Sequence, residues 1–173
     1  MANKIAGETI EREATSREGT VYITSKHVYK IFGGRTNPYD EVEKYKVAEA
    51  AGVPVPDTCK FTADLTIDGV ITSTSGIQMT RSFGTFFQLG KGGGEKTLVN
   101  EISAISNRIM LQMVIDGLLS AEKLGVMDPQ GFISATGNPP LCFIDLHYRN
   151  SPNPVAFEQA IMAARVRLDR LNA

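Results

Sequence analysis

The sequence predicts one α+β domain in two lobes: a strand-rich N-terminal lobe with one helix, then a reduced helical C-terminal lobe. Three observations lead there. Before residue 88, β-branched and aromatic residues alternate with polar ones, the two-residue period of strands. After residue 97, apolar residues recur every three to four positions, the period of helices. Between them, Leu89–Lys96 carries Gly90 and the run Gly92-Gly93-Gly94, a flexible loop that separates the lobes. The lobes are therefore expected at residues 1–88 and 97–173.

The elements follow in order. Thr20–Ile23 and His27–Phe32 read as strands around the turn Thr24-Ser25-Lys26. Gly33-Gly34 ends the second. Pro38 suits a first helical turn, Tyr39–Ala51 has no internal breaker, and Gly52 is a natural stop before Pro54 and Pro56 force an extended exit. Leu65-Thr66-Ile67 and Val70-Ile71-Thr72 flank Asp68-Gly69, a strong tight-hairpin signal. Gly76–Met79 is a further strand leading into Thr80-Arg81-Ser82.

In the second half, Leu98, Ile102, Ile105, Ile109 and Met113 form one stripe, widened by Ser106, Met110, Val114 and Leu118. This predicts one long buried helix ending near Gly125. Gly131–Ser134 and Leu141–Leu146 read as short strands around Gly137-Asn138-Pro139-Pro140. A last helix presents Phe157, Ile161, Ala164, Leu168 and Leu171.

Composition narrows the function. A formal net charge of −1 gives no electrostatic argument for nucleic acid or an anionic membrane surface. No apolar run approaches the roughly eighteen residues of a membrane span, and the charged Met1–Glu13 lacks a signal-peptide core. Cys59 and Cys142 have neither disulfide-framework nor metal-ligand spacing, and read as small buried hydrophobes. The expectation is a soluble monomer folding in a reducing compartment.

Three polar residues sit awkwardly for a purely structural account. Lys30 interrupts the apolar strand Val28-Tyr29-Lys30-Ile31-Phe32. Asp145 ends Leu141-Cys142-Phe143-Ile144-Asp145, and Asp128 stands between a helix and a strand in Val126-Met127-Asp128-Pro129-Gln130-Gly131-Phe132. Unpaired buried charge is expensive, so such residues usually have a partner, a metal or a ligand. Phosphoryl transfer accounts for all three: a lysine on phosphates, one aspartate for the acceptor hydroxyl and one for magnesium. Taken singly, each keeps a plainer reading: Lys30 snorkelling from an edge strand, Asp128 in a turn, Asp145 at a surface strand end. His27, His147 and the glycine run read as exposed imidazoles and a linker.

Val28-Tyr29-Lys30-Ile31 resembles the lysine strand of protein kinases, and Asp128 resembles their catalytic-loop aspartate. Phe143-Ile144-Asp145-Leu146 resembles the magnesium-binding aspartate strand of small-molecule and atypical kinases, with Leu146-His147 replacing Phe-Gly. The two aspartates are seventeen residues apart, close to what a catalytic loop plus one hairpin needs. Gly52-Val53-Pro54-Val55-Pro56 is similar to the exit from the regulatory helix of aminoglycoside-type kinases. The chain thus resembles a minimal protein-kinase fold. The family it resembles is HopBF, bacterial type III effector kinases that phosphorylate the ninety-kilodalton eukaryotic heat-shock chaperone. Shortness, a stripped C-terminal lobe and Asp-Pro-Gln-Gly-Phe in place of His-Arg-Asp carry that likeness.

The resemblance implies a Ser/Thr protein kinase using ATP and magnesium, delivered into a host cell, with a chaperone as substrate. Asp128 and Lys30 are its expected catalytic residues, and Asp145 with Gln130 its metal ligands. Gly19, Thr20, Met79 and Arg81 are expected at the nucleotide. Glu43 is the first choice to pair with Lys30, then Glu41, with Glu49 at a longer spacing. The pattern also departs from kinases: Thr15–Tyr22 offers one glycine where a Gly-x-Gly-x-x-Gly loop is usual, no His-Arg precedes Asp128, and no asparagine follows five residues on. Two alternatives stand beside it, a small-molecule kinase of aminoglycoside type and a non-catalytic kinase-like module. The few residues after Asp145 argue against the first.

Overall fold

The computed structural model describes residues 2–34, 36–90 and 93–173. Lys91 and Gly92, in the middle of the expected glycine loop, lie outside the described residues. The fold is α+β, and the chain divides into two compact units. One comprises the chain through Lys46 with Pro56–Arg81; the other comprises Val47–Val55 and Ser82 onward. The change of unit falls at Arg81–Ser82 rather than in Leu89–Lys96. The reason is pairing: Thr85–Gln88, just beyond it, is a strand joined to Gln130–Ile133 of the second unit.

The first unit is built on seven antiparallel strands: β1 (Lys4–Ile5), β2 (Glu8–Thr9), β3 (Arg12–Ser16), β4 (Gly19–Ile23), β5 (His27–Phe32), β6 (Thr58–Ile67) and β7 (Val70–Thr80). Their order is β2-β1-β6-β7-β5-β4-β3, and helix α1 (Pro38–Ala50) follows β5. The two edge strands, β2 and β3, are consecutive in the chain and joined only by Ile10-Glu11. Such a link spans no more than about 11 Å, so the sheet must curl until its edges nearly meet. Two hydrogen bonds close the seam: Ile10 N donates to the Asn3 carbonyl at 2.9 Å, and Glu11 N to the Ile23 carbonyl at 2.8 Å. Inside the curl Ile5, Tyr22, Tyr29 and Leu65 are buried, with Ile10, Ile31, Phe61 and Ile67 packed against them.

A polar knot backs this seam. Glu8 accepts the Thr24 hydroxyl on one oxygen and lies 2.7 Å from His27 Nδ1 on the other. His27, expected to be an exposed imidazole, is thus bonded to Glu8 and mostly enclosed. Burial and the neighbouring Glu8 carboxylate push the Tyr29 phenol up to about 12. Arg81 Nη1 binds Glu11 Oε2 at 2.5 Å and the Thr24 carbonyl at 2.6 Å.

The expected Asp68-Gly69 hairpin is present, with both residues at positive φ (51° and 83°) as a type I′ turn requires. Its strands are much longer than the flanking apolar triplets suggested. Cys59, expected to be buried, is exposed, although the alternation along β6 puts it on the same face as Phe61 and Leu65.

The second unit holds β8 (Thr85–Gln88), α2 (Gly94–Ala104), α3 (Arg108–Leu124), β9 (Val126–Met127), β10 (Gln130–Ile133), β11 (Leu141–Ile144), β12 (His147–Tyr148) and α4 (Pro154–Asn172). Helix α4 packs on both α2 and α3. Phe143 of β11 anchors the core, its ring edge-on to Phe87 (centroids 5.8 Å apart) and to Phe157 (6.2 Å). The single long helix expected here is two. Ile105 leaves helical geometry at ψ 122°, and Asn107 Oδ1 accepts from Ile109 N (2.9 Å) and Met110 N (3.1 Å), capping a new start. The stripe therefore breaks: Leu98, Ile102 and Ile105 are buried, but Ile109 and Met113 are exposed. Among the described residues no helix is long and apolar enough to cross a membrane.

Candidate functional site

Lys30 lies on β5 between β4 and β7, opposite Val21 on one side and Ile77 on the other. It is an interior-strand residue, not an edge lysine. Its side chain is 17% exposed, with Nζ 3.7 Å from Glu18 Oε2 and 5.3 Å from the Phe32 ring centre. Alternation on β5 buries Tyr29 inside the curl and leaves Lys30 on the other side. Helix α1 pairs Glu43 with Lys46 (2.9 Å) in an exposed contact and Glu41 with Lys44 (2.5 Å) in a more enclosed one. Glu41 is thus the more buried of the two glutamates expected at Lys30, and Glu49 is exposed.

The expected phosphate loop takes another form. Over Thr15–Tyr22 the chain is the β3–β4 hairpin, with Ser16 opposite Gly19 and only Arg17-Glu18 turning. Gly19 is required by packing: at φ 142°, a Cβ there would sit 1.9 Å from the Ile31 carbonyl oxygen. Thr20 faces Ile31 in the ladder and its hydroxyl lies 3.2 Å from that of Thr15. Met79 is buried opposite Val28 and Thr58.

In the second unit the two aspartates share one local design. Strand β9 pairs with β12, Met127 facing His147; strand β10 pairs with β11, Gln130 facing Ile144. These are one antiparallel register, interrupted at residues 128–129 on one strand and 145–146 on the other. Each interruption begins at an aspartate with positive φ, 43° at Asp128 and 51° at Asp145. Aspartate is among the few non-glycine residues that tolerate this region, which here turns the chain out of the ladder and back. Asp128 is exposed and Asp145 half-buried. Leu146 is buried, and the Pro129 carbonyl accepts from Leu89 N at 2.7 Å, so both interruptions are tied into the unit.

Gln130 Nε2 donates to Asp145 Oδ2 at 2.7 Å. Gln130, expected as a metal ligand beside Asp145, thus holds the Asp145 carboxylate itself. On the same face, two residues along each strand, Phe132 lies between Phe86 and Cys142, and its ring meets that of Phe86 edge-on at 5.7 Å. Sequence reasoning overlooked this aromatic face; its signal was the alternation Gln130-Gly131-Phe132-Ile133, whose buried partners are glycine and isoleucine.

Among the described residues no group of three or more His, Cys, Asp or Glu side chains is placed to hold a metal alone. Magnesium is commonly held by one or two carboxylates together with substrate phosphates, and the Asp145 carboxylate fits that donor chemistry. Comparison with protein-family models and with curated proteins finds no match to this sequence.

Proposed function

We propose that this chain is a kinase-fold phosphotransferase that uses ATP with magnesium. The observation that carries the reading is the paired interruption at Asp128 and Asp145: one register, two opposed strands, and an aspartate at positive φ where each leaves the ladder. Support also comes from the first unit. Lys30 lies on the third strand of the meander β3–β4–β5, and α1 follows directly, the order in which kinases place their phosphate lysine and its helix. The partly exposed Phe86–Phe132 pair next to Gln130 offers apolar ring surface to a purine base.

Phosphoryl transfer asks the protein mainly for positioning and charge stabilisation. Asp128 accepts the proton of the acceptor hydroxyl as its oxygen bonds the γ-phosphorus and the bond to the ADP oxygen breaks. Asp145 is assigned the magnesium, which when bound supplies positive charge to the phosphates. Gln130 keeps the Asp145 carboxylate oriented. Lys30 is assigned the nucleotide phosphates, with Gly19, Thr20 and Met79 as nucleotide neighbours. The likeness to HopBF kinases extends the proposal to a Ser/Thr acceptor on a eukaryotic heat-shock chaperone and to action inside a host cell.

Calorimetric titration with ADP, with and without magnesium, tests the nucleotide reading. Magnesium-dependent binding that Asp145→Ala removes is expected. Binding indifferent to magnesium and to Asp145 overturns the assignment. Labelled ATP added to a eukaryotic lysate then tests the acceptor: one dominant band at the chaperone's mass is expected, and labelling of small molecules alone would favour the aminoglycoside-type alternative.

A further inference from the structure

Asn153 occupies the N-cap position of α4 yet makes no side-chain cap bond to that helix. Asparagine is among the best N-caps, worth about 0.5–2 kcal/mol over alanine, so its absence from that role needs a reason. The amide is turned elsewhere: Nδ2 donates to the Val126 carbonyl at 3.0 Å. Val126 is on β9, two residues before Asp128, and faces Tyr148, three residues after Asp145.

The rest of the segment between Asp145 and α4 is fastened to the same place. Asn153 N donates to the Glu122 carbonyl at 2.9 Å, and Arg149 N to the Gly125 carbonyl at 3.2 Å. Gly125 ends α3 at φ 76°, and a Cβ there would lie 1.8 Å from the Ser151 carbonyl oxygen. Only glycine lets the segment lie this close. Residues 146–153 are thus strapped along the C-terminal end of α3 and along β9, leaving no free loop after Asp145.

We propose that Asn153 is the positioning residue of this site: its side chain ties the strand before Asp128, and its backbone the segment after Asp145, to the end of α3. The aspartate pair is then permanently assembled, and nucleotide need not order it. The proposal deepens the phosphotransferase reading and rests on it for its catalytic consequence only.

Asn153→Asp separates positioning from mere stability. Aspartate caps a helix as well as asparagine does, but its carboxylate cannot donate to the Val126 carbonyl. The variant should keep the melting temperature of the parent to within a few degrees. It should lose about tenfold or more in kcat for phosphate transfer with KM for ATP nearly unchanged, the mark of lost alignment rather than lost binding. Hydrogen exchange supplies a readout that needs no activity. In the nucleotide-free parent the Arg149 and Asn153 amides should be protected, unaltered by Mg-ATP, and should exchange about tenfold faster in Asn153→Asp. Asn153→Ala should show the same exchange and serves if Asn153→Asp is poorly folded. Unprotected amides in the parent, or protection that appears only with nucleotide, overturn the strap. Parental turnover in a variant whose amides exchange faster overturns the positioning role. A parent that transfers no phosphate refutes the phosphotransferase reading, while exchange still decides whether Asn153 holds the strap.

Discussion

Gln130 and Asp145 are joined by a 2.7 Å hydrogen bond in which the amide Nε2 donates to carboxylate Oδ2. A neutral amide donor fixes the carboxylate's rotation. Gln130→Leu removes that donor while keeping similar bulk. A lost hydrogen bond to a charged group costs about 1.5–3 kcal/mol. Magnesium-dependent nucleotide affinity should therefore fall by roughly 10- to 100-fold, with little change in affinity measured without magnesium. Titration of parent and variant with ADP, with and without magnesium, checks this.

The start of α3 rests on Asn107, whose Oδ1 takes two backbone N–H groups. Asn107→Ala should destabilise the second unit by about 0.5–2 kcal/mol, and Asn107→Asp by much less. Urea unfolding of the two variants, followed by circular dichroism, measures the difference.

Phe143 has no exposed surface and contacts rings on both sides. Phe143→Ala should cost about 3–5 kcal/mol, since a buried aromatic leaves a cavity that neighbouring rings fill poorly. The same urea measurement should show its midpoint far below that of Asn107→Ala.

The seam of the curled sheet carries an acid dependence. Burial raises the Glu8 carboxyl pKa, but hydrogen bonds from Thr24 and His27 and the charge of His27 outweigh it, and the net shift is downward from 4.5. A carboxyl lowered in the folded state stabilises the fold fully above its unfolded value and loses that contribution as pH falls through the folded one. Stability of the first unit should therefore drop on acidification below 4.5 more steeply than in Glu8→Gln. Thermal melts of parent and variant from about pH 7 down to about pH 3 test it; parallel curves would remove Glu8 from the seam.

Much of this architecture was legible because local rules and tertiary structure agree. Asp68-Gly69 specifies its turn unaided, and the Pro38 start and Gly52 stop bracket α1 to within a residue or two. What could not be read depends on distant pairing. The strands β1 and β2 are two residues each, too short for periodicity to show, and exist because Ile5 fills the curl. The continuous stripe from Leu98 to Met113 concealed the Asn107 cap, since an apolar pattern does not reveal where a helix restarts. For the site, the sequence singled out Asp128 and Asp145 as polar residues at strand ends. It did not reveal that one register runs through both, which only the β9–β12 and β10–β11 pairings show. Asn153 received no reading from the sequence, because its side-chain partner is a carbonyl twenty-seven residues earlier.

The central claim is phosphate transfer through the aspartate pair, and transfer of label from γ-labelled ATP to a protein acceptor measures it most directly. The parent with magnesium should label the acceptor. Asp128→Asn, which keeps the shape of the interruption but removes the base, should lower the rate by about 100-fold or more, as the loss of general-base catalysis allows, with ADP binding retained. Asp145→Asn should lose both transfer and magnesium-dependent binding. Equal labelling by the parent and Asp128→Asn, or none by the parent with any acceptor, would contradict the account.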